Sequence, residues 1–185
     1  YKCGKLKEVS LESWTIVPRE AFYECVSLEK VMIPAEIQNI ETAAFSHCSS
    51  LKEVVFEGRT LEGDDNGWGI DDEAFFGTAL EEVELPGSCV RVNREAFGNC
   101  LKLKKFILHG SGKNVANQKL GGYAFDGCSA MEEVYLPRTV AAIGSVLQGY
   151  DLFRNDVKAK IYAAEGSEGH TYALNRGLPW ETWEE

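Results

Sequence analysis

The sequence predicts an α/β solenoid: about seven short parallel strands in one sheet, stacked rung on rung and closed by a C-terminal helix. Three observations predict it. The dipeptide Ala-Phe recurs at Ala21-Phe22, Ala44-Phe45, Ala74-Phe75, Ala96-Phe97 and Ala124-Phe125, with phenylalanine intervals of 23, 30, 22 and 28 residues. Several further slots keep register with each phenylalanine. An apolar-x-apolar pair follows in every copy, too far from its neighbours to form hairpins. Period-2 pairs read as strands with one buried face. Strands recurring at such distances are parallel and joined by crossovers. One copy is too small to bury its own face, so stacked copies must share a core.

The elements follow in chain order. The slot three residues after Phe holds Cys25, Cys48, Thr78, Cys100 and Cys128. An apolar residue follows, at Leu28, Leu51, Leu80, Leu103 and Met131; Leu80 comes one residue early because that copy has lost a residue. The strand pairs are Val31/Ile33, Val54/Phe56, Val83/Leu85, Phe106/Leu108 and Val134/Leu136. Five residues before each Phe stands another aliphatic: Val17, Ile40, Ile70, Val92 and Leu120. Cys3, Leu6, Val9 and Leu11 repeat the spacing without a preceding Phe, so the first repeat is read as truncated and the chain as part of a longer protein. A seventh strand is expected between Val157 and Ala163, since Ile161 falls 27 residues after Val134. Seven strands at ~4.8 Å spacing give a sheet roughly 29 Å long. Ser167 as N-cap, Gly177 after the last turn and Pro179 beyond it predict a helix over Glu168–Arg176. Residues 1–163 are thus the solenoid and 164–185 its cap, with Trp180 and Trp183 expected to cover the last rung.

The stretch Phe22 to Leu51, FYECVSLEKVMIPAEIQNIETAAFSHCSSL, carries C-x-x-L-x-x-V-x-I-P and a following A-F. It resembles the BspA-type leucine-rich repeat of bacterial cell-surface proteins, and the resemblance extends over residues 1 to about 163. It implies a right-handed, horseshoe-like solenoid with short irregular or helical convex turns, surface exposure and adhesion-like roles. Proline rather than asparagine follows the strand, and two insertions break the even period.

Composition narrows the function. The chain has 185 residues, 29 acidic against 19 basic, and a formal net charge of -10. No basic footprint for nucleic acid is expected. No apolar run approaches the ~18 residues of a membrane helix. Five of six cysteines share one small interior slot, which predicts reduced, buried thiols rather than a disulfide framework. No C-x-x-C pair predicts zinc. His47, His109 and His170 lie in no nucleophilic motif, and no phosphate loop or nucleophile elbow occurs. An enzyme is not expected, and neither is a cofactor.

Two surfaces remain as binding candidates. If Val31 and Ile33 point inward, then Lys30, Met32, Glu53, Val55, Glu82, Glu84, Lys105, Ile107, Glu133 and Tyr135 point outward, and Glu8 and Ser10 begin the row. This mixture of charge, apolar and aromatic groups suits a protein or glycan partner. Glu53 and Glu82 on neighbouring rungs repel, a conflict that a cationic partner or an ion relieves. The second surface is the pair of insertions. One is acidic, through Asp64, Asp65, Asp71 and Asp72, with Trp68 as an expected exposed anchor; the other is basic, through Lys113 and Lys119. The acidic loop fails the EF-hand template, since Trp68 and Phe75 stand where ligands belong. The expected function is a non-catalytic, extracellular or cell-surface recognition domain. The alternative is a structural spacer with no ligand of its own.

Overall fold

The computed structural model describes residues 1–57, 67–111, 118–144, 150–153 and 157–184. The predicted strand pairs form one side of the solenoid. They are β1 (Glu8–Ser10), β3 (Lys30–Ile33), β5 (Glu53–Phe56), β7 (Glu82–Leu85), β9 (Lys105–Leu108), β11 (Glu133–Leu136) and β13 (Lys160–Ala163). All pairings are parallel, and the inward residues lie in register from rung to rung, Val31 opposite Val54 and Phe106 opposite Val83 and Val134.

The expectation of one continuous sheet is corrected. The strands form a three-stranded sheet, β1-β3-β5, and a five-stranded sheet, β7-β9-β11-β13-β14, whose last strand is β14 (Trp180–Thr182). The fault lies between β5 and β7. It coincides with the rung that is one residue short: five residues separate Thr78 from Val83, where six separate Cys48 from Val54 and Cys100 from Phe106. Elsewhere the approach to each strand bonds to the rung before it, as in Lys52 N–H to Glu29 O at 3.0 Å and Lys104 N–H to Glu81 O at 2.8 Å. The shortened approach leaves β7 out of step with β5.

A second sheet, not foreseen, lines the adjacent side. Its six parallel strands are β2 (Ile16–Val17), β4 (Asn39–Ile40), β6 (Trp68–Ile70), β8 (Cys89–Val92), β10 (Gln118–Leu120) and β12 (Val140–Ile143). The first five carry the aliphatic that precedes Phe by five residues, and β12 carries Val140 and Ile143 in their place. This sheet crosses the fault unbroken, with Ile40 opposite Ile70.

Of the irregular or helical convex turns that the resemblance implies, the irregular form is found and the helical one is not; the helix of Glu168–Arg176 is the only helix among the described residues. Each Phe is flanked two residues away on both sides by left-handed backbone. Before it stand Glu20, Ala43, Glu73, Glu95 and Tyr123; after it stand Glu24, His47, Gly77, Asn99 and Gly127. Left-handed residues interrupt a helix. They turn backbone N–H groups along the stacking axis. Phe45 N–H bonds Ala74 O at 2.7 Å, and His47 N–H bonds Phe76 O at 2.7 Å. The cysteine slot adds a bond per rung, as Cys48 Sγ donates to Phe22 O (3.0 Å), Cys100 Sγ to Phe75 O (3.2 Å) and Cys128 Sγ to Phe97 O (3.1 Å).

The core is the expected phenylalanine ladder. Neighbouring ring centroids lie 5.1 Å apart for Phe22/Phe45 and Phe45/Phe75, and 5.3 Å for Phe75/Phe97. Buried Gln118 ties three rungs together. Its Nε2 donates to Cys89 O (3.0 Å) and His109 O (2.8 Å), and its Oε1 accepts from Thr139. At the C-terminus the helix α1 spans Glu168–Arg176, as predicted. Ser167 caps it, accepting from His170 N, and Gly177 ends it at φ 62°. The chain then returns as β14 beside β13, Trp180 opposite Ile161. Trp180 packs on the core, whereas Trp183 turns to the outer sheet face.

Candidate binding surface

Alternation along each strand sends one set of side chains outward, and pairing places them in two rows. The first row runs Glu8, Lys30, Glu53 on the three-stranded sheet and Glu82, Lys105, Glu133, Lys160 on the five-stranded one. Its sign alternates from rung to rung. Lys30 Nζ lies 2.8 Å from Glu53, Lys105 Nζ lies 3.9 Å from Glu133, and Lys160 pairs with Glu181. The Glu53 and Glu181 carboxylates raise the Lys30 and Lys160 pKa values above the ordinary lysine range. Exposed pairs of this kind stabilise little, ~0–1 kcal/mol, but they fix side-chain positions.

The second row is mostly apolar: Ser10, Met32 and Val55, then Glu84, Ile107, Tyr135 and Tyr162. It ends in an aromatic platform. Tyr135 and Tyr162 stack with centroids 4.2 Å apart and planes at 5°, and Trp183 stands edge-on to Tyr135 at 5.5 Å. Lys105 lies over the Tyr135 ring at 5.1 Å and Lys160 over Tyr162 at 5.0 Å. Tyr135 OH donates to Glu133 Oε2 at 3.1 Å. Partial burial, and then the Glu133 carboxylate, push the Tyr135 phenol well above the usual tyrosine range. Its hydroxyl therefore stays a neutral donor. All three rings are half-exposed.

The outward row read from the sequence names Tyr135 but not Tyr162 or Lys160, and Trp183, expected to cover the last rung, stands on the outer face instead. The signal was present for Tyr162, because the 27-residue offset that places Ile161 opposite Val134 also places Tyr162 opposite Tyr135. Trp183 had no repeat spacing to reveal it.

The insertion candidates fare differently. Trp68 is not an exposed anchor. It is 2% exposed, stacks on Phe56 at 5.4 Å and donates from Nε1 to Ser88 Oγ at 3.1 Å. The glycine-flanked sequence turns out to be strand β6, and the indole fills the core beside the fault. Asp71 is not free either. Its carboxylate accepts from Asn39 Nδ2 (2.8 Å) and Asn93 Nδ2 (3.2 Å), with Arg91 at 3.9 Å, which ties three rungs of the second sheet. Gly69 leaves room for the Arg91 guanidinium, which a Cβ there would meet at 2.6 Å. Asp72 accepts from Arg94 N at 3.2 Å. Lys119 is exposed on β10, opposite Arg91. Asp64, Asp65 and Lys113 lie outside the described residues.

Two of the surface clefts lie beside the outer sheet and the terminal helix. One, of about 370 Å³, lies at the fault and is lined by Val54, Val55, Phe56, Glu84, Pro86 and His109. The other, of about 360 Å³, lies between α1 and the last rungs; there Asp151 is bonded by Tyr172 and by Arg176 Nε at 2.5 Å. Among the described residues no His, Cys, Asp and Glu side chains gather in a metal-binding group. The cysteines are unpaired, and all but Cys3 are buried. Burial pushes the Cys48 and Cys89 thiols up to about 12. Among the described residues no helix is long and apolar enough to cross a membrane.

Comparison with known proteins agrees with this architecture. Six copies of the BspA-type leucine-rich-repeat region match, over residues 1–104 and 60–147. The structure is similar to that of the pneumococcal vaccine antigen PcpA, with a TM-score of 0.68 and 26% identity over 91% of this chain and 43% of that one. The chain therefore spans less than half of that structure. Looser overlays, both at TM-score 0.49, join it to two further proteins. One is a leucine-rich cell surface protein from Faecalibacterium prausnitzii (21% identity, 78% of this chain, 52% of that one). The other is the T. pallidum leucine-rich-repeat protein (23% identity, 76% of this chain, 74% of that one). No curated protein matches the sequence. With repeat copies matched from residue 1 to residue 147 and a parallel-strand solenoid to carry them, the chain belongs to the BspA-type leucine-rich-repeat family.

Proposed function

We propose that this chain is a non-catalytic recognition domain of a bacterial cell-surface protein, and that it contacts a protein or glycan through the outer sheet face. The observation that carries the reading is the platform of Tyr135, Tyr162 and Trp183, three half-exposed rings in which Tyr135 touches both of the others. Rigid aromatic surface is what binding hot spots use, because it buries area at little cost in side-chain entropy. Lys105, Lys160 and Glu133 around the rings supply charge and hydrogen-bonding groups. Family membership and the likeness to a pneumococcal vaccine antigen support a surface location. Against a purely structural spacer stands the outward placement of rings that a spacer has no reason to expose.

The test is a glycan and host-protein array probed with the wild-type domain and with Tyr135→Ala/Tyr162→Ala. A specific wild-type signal that falls at least tenfold in the double variant, with the melting temperature nearly unchanged, supports the platform. An array without specific signal favours the spacer. A signal indifferent to both tyrosines moves the site elsewhere.

A further inference from the structure

The fault between β5 and β7 is more than an irregularity. We propose that it is a docking cleft for a protein partner that presents a lysine or arginine side chain from an extended, otherwise apolar segment. The proposal rests on the recognition reading above and names one partner chemistry for it.

The first argument is steric and apolar. Apart from Val9 on the terminal strand β1, the residues equivalent to Val54 are sealed: Val31, Phe106, Val134 and Ile161 are 0% exposed. Val54 itself is only half-buried, and so is Phe56, whose equivalents Ile33, Leu85 and Leu136 are fully buried. The fault thus opens the core to the outer face. The cleft of about 370 Å³ has Val54, Val55, Phe56 and Pro86 as its apolar lining. It can take an aliphatic stem of the kind lysine and arginine carry.

The second argument is the backbone. No strand pairing joins β5 to β7, the one break along this side among the described residues.

The third argument selects the charge. The outward row alternates in sign on both sheets, and the alternation fails only at the fault. There Glu53 of β5 is followed by Glu82 of β7, with no cation between them. Glu84 adds a carboxylate beside Val55 in the apolar row. Lys30 already engages Glu53 at 2.8 Å, and His109 Nε2 lies 2.6 Å from Glu84. Glu82 has no ion-pair partner among the described residues. A cationic head in the cleft restores the missing positive rung, while its stem covers Val55 and Pro86. An anionic or neutral segment fits the apolar lining but leaves the repulsion between Glu53 and Glu82 in place.

The test uses the whole chain, labelled with ¹⁵N, and the peptide acetyl-Ser-Val-Arg-Val-Lys-Ser-amide. The expected result is a set of amide shifts centred on residues 53–57 and 82–86. The affinity should fall at least tenfold for Glu82→Gln/Glu84→Gln, and equally for the peptide with glutamine at both basic positions. Val55→Lys, which supplies the cation from within the chain, should abolish peptide binding. The proposal is overturned if the peptide leaves these amides unmoved at millimolar concentration. It is also overturned if shifts spread evenly over other exposed carboxylates such as Glu132 and Glu181, or if the variants bind as the wild type does. The array signal is read on the Glu82→Gln/Glu84→Gln protein as well. A platform signal that persists while the peptide fails separates the loss of this proposal from the loss of the recognition reading.

Discussion

Phe45→Ala is the sharpest probe of the stacked core. Phe45 is 0% exposed, and both faces of its ring are covered, by Phe22 at 5.1 Å and 2° and by Phe75 at 5.1 Å and 10°. Truncating a buried phenylalanine costs ~3–5 kcal/mol, and each aromatic pair adds ~0.5–1.5 kcal/mol beyond area burial. With two pairs lost, the upper part of that range applies, about 4–5 kcal/mol. Phe22 is the internal control. It is half-buried, with a single ladder neighbour in Phe45 and a tilted contact to Trp14 at 6.2 Å. Its truncation should cost about half as much, ~2 kcal/mol. Urea unfolding, followed by tryptophan fluorescence and far-ultraviolet circular dichroism, measures both, with coincident curves checking for intermediates. The cycle with Phe75→Ala should show coupling with Phe45→Ala of ~0.5–1.5 kcal/mol, whereas Phe125→Ala, two rungs further on, should add independently. A loss below ~1 kcal/mol at Phe45, or equal losses at Phe22 and Phe45, would refute the ladder as the core's main support.

Three further outcomes are expected. Trp68→Ala should destabilise the fold by ~3–5 kcal/mol rather than act only on binding, since the indole is buried against Phe56 and bonded to Ser88; an unchanged urea midpoint contradicts its placement. Ala43→Gly should stabilise by ~0.5–1 kcal/mol despite adding backbone freedom, because Ala43 sits at φ 56°, where a Cβ is unfavourable; a lower melting temperature would show the turn to be less strained than its dihedral indicates. Native protein at pH 8 should label rapidly at Cys3 alone, the other five thiols reacting only on unfolding. The raised Cys48 and Cys89 pKa values also give a sign: the stability they contribute is complete below the unfolded thiol pKa of ~8.5 and is lost as pH rises from there toward 12. Flat stability across that window would remove the burial argument.

The sequence made the rungs legible because each rung must place the same side chains at the same stacking height. Phe45 over Phe75 and Val31 beside Val54 follow from spacing alone, and so does α1, whose two ends are chemically marked by Ser167 and Gly177. The second sheet was hidden because its strands are two to four residues long, too short for a visible period. The left-handed turn positions were half-hidden. Gly77, Gly127 and Asn99 announce the position after Phe, but Glu20, Ala43 and Glu73 before it are residues that ordinarily avoid such backbone. Trp68 was misread because glycine neighbours suggest a loop, whereas here Gly69 serves the close approach of Arg91. On the candidate surface, the residues that follow the repeat were readable. Trp183, delivered by the non-repeating strand β14, was not.

The split in the first sheet also shapes how the molecule comes apart. In a stack of rungs, cooperativity is set by each nearest-neighbour junction. Every other junction along this side carries both a strand ladder and a shared core, but the third and fourth rungs lack the ladder and are joined by the β4–β6 pairing, the turn bonds, the Asn39–Asp71 bond and ring contacts such as Phe45–Phe75 and Phe56–Phe75. That junction is the weakest coupling in the array. The first three rungs form a block that can unzip ahead of the rest, and its amides should lose protection from hydrogen exchange at lower denaturant than those of β9, β11 and β13.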